Sequence, residues 1–223
     1  VTLHHFDTPD VLHKKGDFLI RETVDAYVEF AKFCFEEYKD EVTYWFTFNE
    51  VWPIATCQYI EGTFPPGIKF DIPKAVLSMH NMMVAHAKAV LAYKEKGYAG
   101  KIGIIHSLET KYPFDENSNA DKSAAKVDDV LANQFLLDAT FVGEYSEDTM
   151  SVINNLLAMH NGSFSYDQKD IELMKQAAIL NDYLGMNHYQ SNFLKAYDGE
   201  NFIHHNGTGE KGTKRFRLKG VGE

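Results

Sequence analysis

Cysteine is scarce in this sequence: Cys34 and Cys57 are the only two among 223 residues. They lie far apart and form no Cys-x-x-Cys pair, which argues against a disulfide framework or a thiolate metal site. Unpaired cysteines at this low frequency are typical of proteins in a reducing compartment, so the sequence predicts a cytoplasmic location.

Long apolar runs and excess positive charge are also missing. No apolar stretch approaches the roughly 20 residues that cross a bilayer, and no charged-then-apolar signal sequence opens the chain. The 22 lysines and arginines are outnumbered by 32 aspartates and glutamates, which gives a net charge of -10. This charge repels phosphate backbones and anionic lipid, so we expect neither nucleic acid nor a membrane as partner.

Short strand-like segments alternate with longer amphipathic ones along the chain, as in parallel βα units. The strand candidates are residues 1–5, 43–48, 101–106 and 183–189, and the helical candidates are residues 18–38, 73–96, 121–141, 147–159 and 167–179. Between them, the turn-rich segment 53–67 is predicted to be a long loop that serves a site. Beyond Asn192, only residues 202–205 resemble a strand.

No Gly-x-Gly-x-x-Gly or Walker sequence directly follows the strand candidates 1–5, 43–48, 101–106 and 183–189. This favours a (β/α)8 barrel over an open nucleotide-binding sheet. About 250 residues is typical of a whole barrel, so four βα units in this length with large loops predict a partial barrel. The chain starts without Met inside a strand candidate and ends without a terminating element, which we interpret as an excised segment.

The pair Asn49-Glu50 stands where the second strand candidate ends. A carboxylate at the mouth of a buried strand can serve as a general acid, and a neighbouring amide can orient a substrate. The alternative from composition alone is an ordinary loop pair. A similar choice applies to His5, which could bind a ligand or be a hydrogen-bonded core histidine, whereas His4 should face the opposite way and be structural.

Three motifs at strand ends resemble glycoside hydrolase family 1. Phe48-Asn49-Glu50 is similar to the family's acid/base motif, His4-His5-Phe6-Asp7 to its third-strand motif, and Asn187-His188-Tyr189 to its sixth-strand motif. The resemblance implies that residues 1–223 are the central part of one barrel domain, and that this part lacks the N-terminal and C-terminal strands of the barrel. It also implies retaining hydrolysis of β-glycosides.

The resemblance assigns a role to each matching residue. Glu50 would be the acid/base, His5, Asn49 and Asn187 would bind substrate, and Tyr189 would orient the nucleophile. The family's nucleophile motif, Glu-Asn-Gly, does not occur in this chain, and the similar string Glu200-Asn201-Phe202 has the wrong context. The fragment is therefore expected to be inactive alone. Trp52 is expected either to stack on a sugar or simply to pack in its loop.

The segments Phe64–Lys69, His80–Val84 and Gly209–Gly212 are most similar to family members that act on 6-phospho-β-galactosides, with 6-phospho-β-glucosides as the rival substrates. A noncatalytic sugar-binding fragment is the alternative from another class. A barrel aldolase is disfavoured, because no strand ends in a lysine suited to a Schiff base and Lys101 begins its strand. Half a barrel has open sheet edges, so we also expect self-association.

No metal or other cofactor is expected. Adjacent strand residues such as His4 and His5, or His204 and His205, point to opposite faces and do not converge on one ion. The methionines at 79, 82 and 83 are interpreted as helix core.

Overall fold

The computed structural model describes residues 1–203 and 216–221. Four strands form the main sheet, and every neighbouring pair is parallel. They are β1 (Thr2–His4), β2 (Tyr44–Asn49), β3 (Lys101–Ser107) and, after the short β4 (Lys111–Pro113), β5 (Tyr183–Asn187). The order β1-β2-β3-β5 follows the chain. This confirms the four predicted strands and their alternation with helices.

The helices lie between these strands in sequence. The first ones are α1 (Asp10–His13), a 3-10 turn (Asp17–Leu19) and α2 (Arg21–Glu37), followed after β2 by α3 (Val51–Tyr59) and α4 (Ile72–Glu95). Between β4 and β5 come α5 (Asn119–Asp129), a π-helical turn (Val130–Gln134), α6 (Phe135–Leu137), a second π-helical turn (Asp138–Val142), α7 (Glu147–Met159) and α8 (Gln168–Leu180).

Helix α4 packs against several other helices. Asp71 caps its N-terminus by accepting a hydrogen bond from the backbone nitrogen of Lys74 at 3.1 Å, and Pro73 occupies its first turn. The helix contacts α2, α3 and α8, and the methionines at 79, 82 and 83 are completely buried, as predicted.

The segment 53–67 is not the long loop that the sequence predicted. Residues 51–59 form α3, and Pro53 lies in its first turn, where a proline costs no intrahelical hydrogen bond. A helix therefore starts directly after Glu50, and the irregular part of this connection is limited to residues 60–71.

Two small sheets accompany the main one. β4 pairs in parallel with β6 (Asn192–Leu194), and β7 (Phe202–Ile203) pairs antiparallel with β8 (Phe216–Arg217). The sequence predicted only β7 among these, over residues 202–205, and His204 and His205 lie outside the described residues. Strands of two or three residues are too short to show alternation, which is why β4, β6 and β8 were missed.

One face of the main sheet packs against the helices through aromatic side chains. Trp45 meets Phe35 of α2 edge to face at 5.1 Å between ring centroids, and Phe48 stacks on Tyr27 at 4.6 Å. On the opposite face, Tyr44 and Phe46 contact Tyr183, and Tyr44 is 57% exposed. Large apolar groups are thus buried on the helix side and partly open on the other.

Three buried histidines stay neutral inside this core. Burial lowers the pKa of His4 to about 4 and that of His86 and His106 to about 3. The His86 ring lies 2.8 Å from the hydroxyl of Thr47, and the His106 ring lies 2.8 Å from that of Thr140.

We predict a steep acid loss of stability from these histidines. Between about pH 6 and 5 the three histidines are protonated in the unfolded chain but not in the folded chain. Unfolding therefore takes up about three protons, and the free energy of unfolding decreases as the pH is lowered. Each histidine contributes about 1 kcal/mol per pH unit in this window. Urea unfolding at pH 7, 6 and 5 measures the slope. His106→Gln should flatten it, whereas an unchanged slope would contradict the assignment.

Candidate active site

The carboxyl end of β2 carries Asn49 and Glu50, which are both buried. The pairing of β2 with β3 is irregular between Phe46 and Asn49, and the backbone nitrogen of Glu50 still donates to the carbonyl of Ile105 at 2.9 Å. Glu50 has a left-handed backbone, with φ 60° and ψ 69°, and α3 begins at the next residue. The strand-to-helix turn therefore fixes the carboxylate at the edge of the sheet.

Asn187, at the end of β5, reaches across β3 to this pair. Its side-chain nitrogen donates to Oε1 of Glu50 at 2.7 Å and to Oδ1 of Asn49 at 3.1 Å. An amide nitrogen carries two hydrogens, so both are used in these contacts. The register that pairs Ser107 with Asn187 places the amide there. Asn187 thus holds Asn49 and Glu50 in a fixed relative position.

His5 follows β1 and completes the row. Because Oδ1 of Asn49 accepts from Asn187, its amide nitrogen is directed to Nε2 of His5, at 3.5 Å. His5 is exposed. His4 is buried on the helix side of the sheet, against Phe18, Tyr27 and Phe48. This confirms the predicted opposite orientation of the two histidines.

Tyr189 and Trp52 lie outside this hydrogen-bonded row. Tyr189, two residues beyond β5, is 76% exposed, and Trp52 is partly buried against the main core. Between Asn187 and Tyr189, the ring of His188 donates from Nδ1 to the carbonyl of Leu108 at 2.8 Å. The backbone around Tyr189 is therefore tied to the end of β3, with the phenol open to the surroundings.

The structure brings together His5, Asn49, Glu50 and Asn187, which the sequence placed at the ends of three separate strands. The arrangement offers one partly enclosed carboxyl group and several hydrogen-bond partners for hydroxyl groups, which suits acid/base chemistry on a polyhydroxylated ligand. Within residues 1–203 and 216–221, no group of three or more His, Cys, Asp or Glu side chains is arranged to hold a metal ion.

Comparison with known proteins agrees with this geometry. The sequence profile described as glycosyl hydrolase family 1 matches residues 1–219. The chain belongs to glycosyl hydrolase family 1. Solved family members have a similar fold: a β-glucosidase from Exiguobacterium marinum has a TM-score of 0.76 at 34% identity, covering 87% of this chain and 43% of its own. The four-stranded sheet is therefore part of a TIM barrel.

Curated family 1 relatives match along the whole chain. A 6-phospho-beta-galactosidase from Streptococcus equi subsp. zooepidemicus is 53% identical over 223 residues, and one from Staphylococcus haemolyticus is 51% identical. Each match covers 100% of this chain and 47% of the relative. The chain thus spans about half the length of the curated relatives it matches.

One finding bears on the membrane. In the part of the chain that the structure describes, every helix is too short or too polar to cross a bilayer.

Proposed function

We propose that this chain is the central part of a retaining glycosidase that hydrolyses 6-phospho-β-galactosides such as lactose 6-phosphate, in lactose breakdown in the cytoplasm. The contact of Asn187 with Glu50 carries the proposal, because it fixes one carboxyl group at the strand ends of a family 1 barrel. The names of the relatives support the substrate class.

Glu50 acts as acid and then as base in this proposal. Asn187 donates to Oε1, so the proton that Glu50 transfers is carried on Oε2. Glu50 gives that proton to the glycosidic oxygen as the bond breaks, and afterwards takes a proton from the attacking water. In a retaining mechanism a second carboxylate, about 5 to 5.5 Å away, forms the glycosyl-enzyme intermediate.

The remaining residues bind and orient the sugar. His5 and Asn49 bond to hydroxyl groups, whose hydrogen bonds strengthen as positive charge develops on the ring. Asn187 shares this role through its carbonyl oxygen, and Tyr189 orients the nucleophile. We place the nucleophile outside this chain, so the 223 residues alone should be inactive, and their open sheet edges should favour self-association.

A segment exchange tests the proposal. The 223 matched residues of the Streptococcus equi subsp. zooepidemicus enzyme are replaced by this chain, and the resulting protein is called the hybrid. We expect the hybrid, but not the isolated chain, to hydrolyse o-nitrophenyl β-galactoside 6-phosphate and to release the β-anomer first.

The outcomes separate the alternatives. A folded hybrid without glycosidase activity would favour a noncatalytic sugar-binding role for the segment. The ratio of activity on 6-phosphogalactoside to that on 6-phosphoglucoside should equal the ratio of the unmodified relative. A shift of this ratio toward the glucoside would support the rival substrate instead.

A further inference from the structure

A buried ion cluster lies just beyond the end of β3, next to the candidate active site. The side chain of Lys111 is only 3% exposed, and its ammonium lies 3.0 Å from Glu109 and 3.0 Å from Asp128. Burial by itself lowers the pKa of Lys111, but the two carboxylates outweigh this effect and raise it. All three groups are therefore ionised, and loss of Lys111 would leave the Glu109 and Asp128 carboxylates without this counter-ion.

Glu109 connects this cluster to the segment that follows β5. Its carboxylate accepts a hydrogen bond from the side chain of Asn192, the first residue of β6. Its backbone carbonyl accepts from the side chain of Asn133 at 2.9 Å, and the backbone nitrogen of Asn192 donates to Thr110 at 2.8 Å. Hydrogen bonds thus connect Glu109 to the π-helical turn Val130–Gln134 through its backbone and to β6 through its side chain.

The segment held in this way includes Asn187. The backbone nitrogen of Leu108 donates to the carbonyl of Asn187 at 3.0 Å, and the ring of His188 donates to the carbonyl of Leu108 at 2.8 Å. Hydrogen bonds therefore join the segment 187–192 to the segment 107–110 at both of its ends. Through these bonds, a shift of the backbone at Glu109 would move the carbonyl of Asn187, and with it the amide that contacts Glu50.

We propose that Glu109 is a positioning residue for the acid/base group, acting through Asn192 and Leu108 on Asn187. The inference rests on the proposed role of Glu50. It assigns the Glu109–Lys111–Asp128 cluster a second effect besides stability, which is to fix the distance between Asn187 and Glu50.

Leaving-group dependence separates positioning from stability. A glycosidic bond to a sugar needs protonation as it breaks, whereas a bond to nitrophenol needs much less help. The measurement is kcat/KM of the hybrid for lactose 6-phosphate and for o-nitrophenyl β-galactoside 6-phosphate. We expect Glu109→Leu to lower the first about tenfold and the second less than threefold, because a displaced acid is costly only where proton transfer is required.

Two variants serve as controls. Glu109→Gln keeps an oxygen that accepts from Asn192, and it should restore both activities to within about threefold of the parent hybrid. Asp182→Asn disturbs the opposite end of the same strands, where Asp182 accepts from the backbone of Ile102 at 2.8 Å and pairs with Lys94 at 2.6 Å. It should lower stability and leave the ratio of the two activities unchanged.

Equal losses on both substrates in Glu109→Leu would overturn the proposal and leave a structural role. If Glu109→Leu does not fold, Asn192→Leu removes the same link, and it must show the selective loss on lactose 6-phosphate. Failure of the proposed function looks different: the folded parent hybrid would then be inactive on both substrates, or Glu50→Gln would leave the hydrolysis of lactose 6-phosphate intact.

Discussion

Glu50→Gln is expected to lower kcat/KM of the hybrid for lactose 6-phosphate about a thousandfold. The substitution keeps the size of the side chain and an oxygen that accepts from Asn187, but it removes the transferable proton, and general acid–base groups contribute about a hundredfold to ten-thousandfold. The loss should be much smaller with o-nitrophenyl β-galactoside 6-phosphate, because its leaving group needs little protonation.

The matched control is Glu172→Gln, which makes the same chemical change at an exposed position of α8. It should leave both rates unchanged. Thermal unfolding of the two variants should also be alike within a few degrees. A Glu50→Gln hybrid that hydrolyses lactose 6-phosphate at the parent rate would remove Glu50 from the mechanism.

Gly103→Ala should destabilise the fold by about 4 kcal/mol, which is more than overpacking of a core usually costs. Gly103 lies in the middle of β3, paired with Phe46 on one side and Tyr183 on the other. A methyl group there would lie 2.2 Å from the backbone carbonyl oxygen of Tyr183, so the strands would have to separate.

Gly185→Ala is the comparison for this effect. A methyl group at Gly185 would meet Ile105 Cγ1 at 2.7 Å and Phe46 Cε1 at 2.8 Å, which are side-chain atoms on the more open face of the sheet. Side chains can rotate away, so this variant should lose less than half as much stability. Urea unfolding followed by circular dichroism measures both. Similar midpoints would show that β3 and β5 adjust more easily than their packing indicates.

The sequence was sufficient for the strand ends but not for the contacts between them. Glu50 was a candidate because a polar pair follows an aromatic, β-branched strand, and the resemblance to family 1 decided between an acid/base group and an ordinary loop pair. The hydrogen bond from Asn187 to Glu50 spans 137 residues and depends on the register of β3 with β5, which local patterns do not encode.

Local sequence patterns also gave one wrong prediction, for segment 53–67, and missed the buried cluster of Glu109 and Lys111. Prolines and glycines between residues 53 and 67 suggested a loop, although Pro53 suits the first turn of α3. Glu109 and Lys111 gave no signal, because charged residues beside a short strand are usually solvated. Only the fold shows that Lys111 is enclosed between two carboxylates.

The left-handed backbone of Glu50 implies a conflict between the stability of the fold and catalysis at this position. Glycine adopts such a conformation without steric cost, so Glu50→Gly would relieve about 1 kcal/mol of backbone strain while abolishing the acid. Laboratory evolution that selects for heat resistance alone would therefore exert no pressure to keep the acid at this position. A stabilised version of this protein is best obtained with activity as a simultaneous criterion.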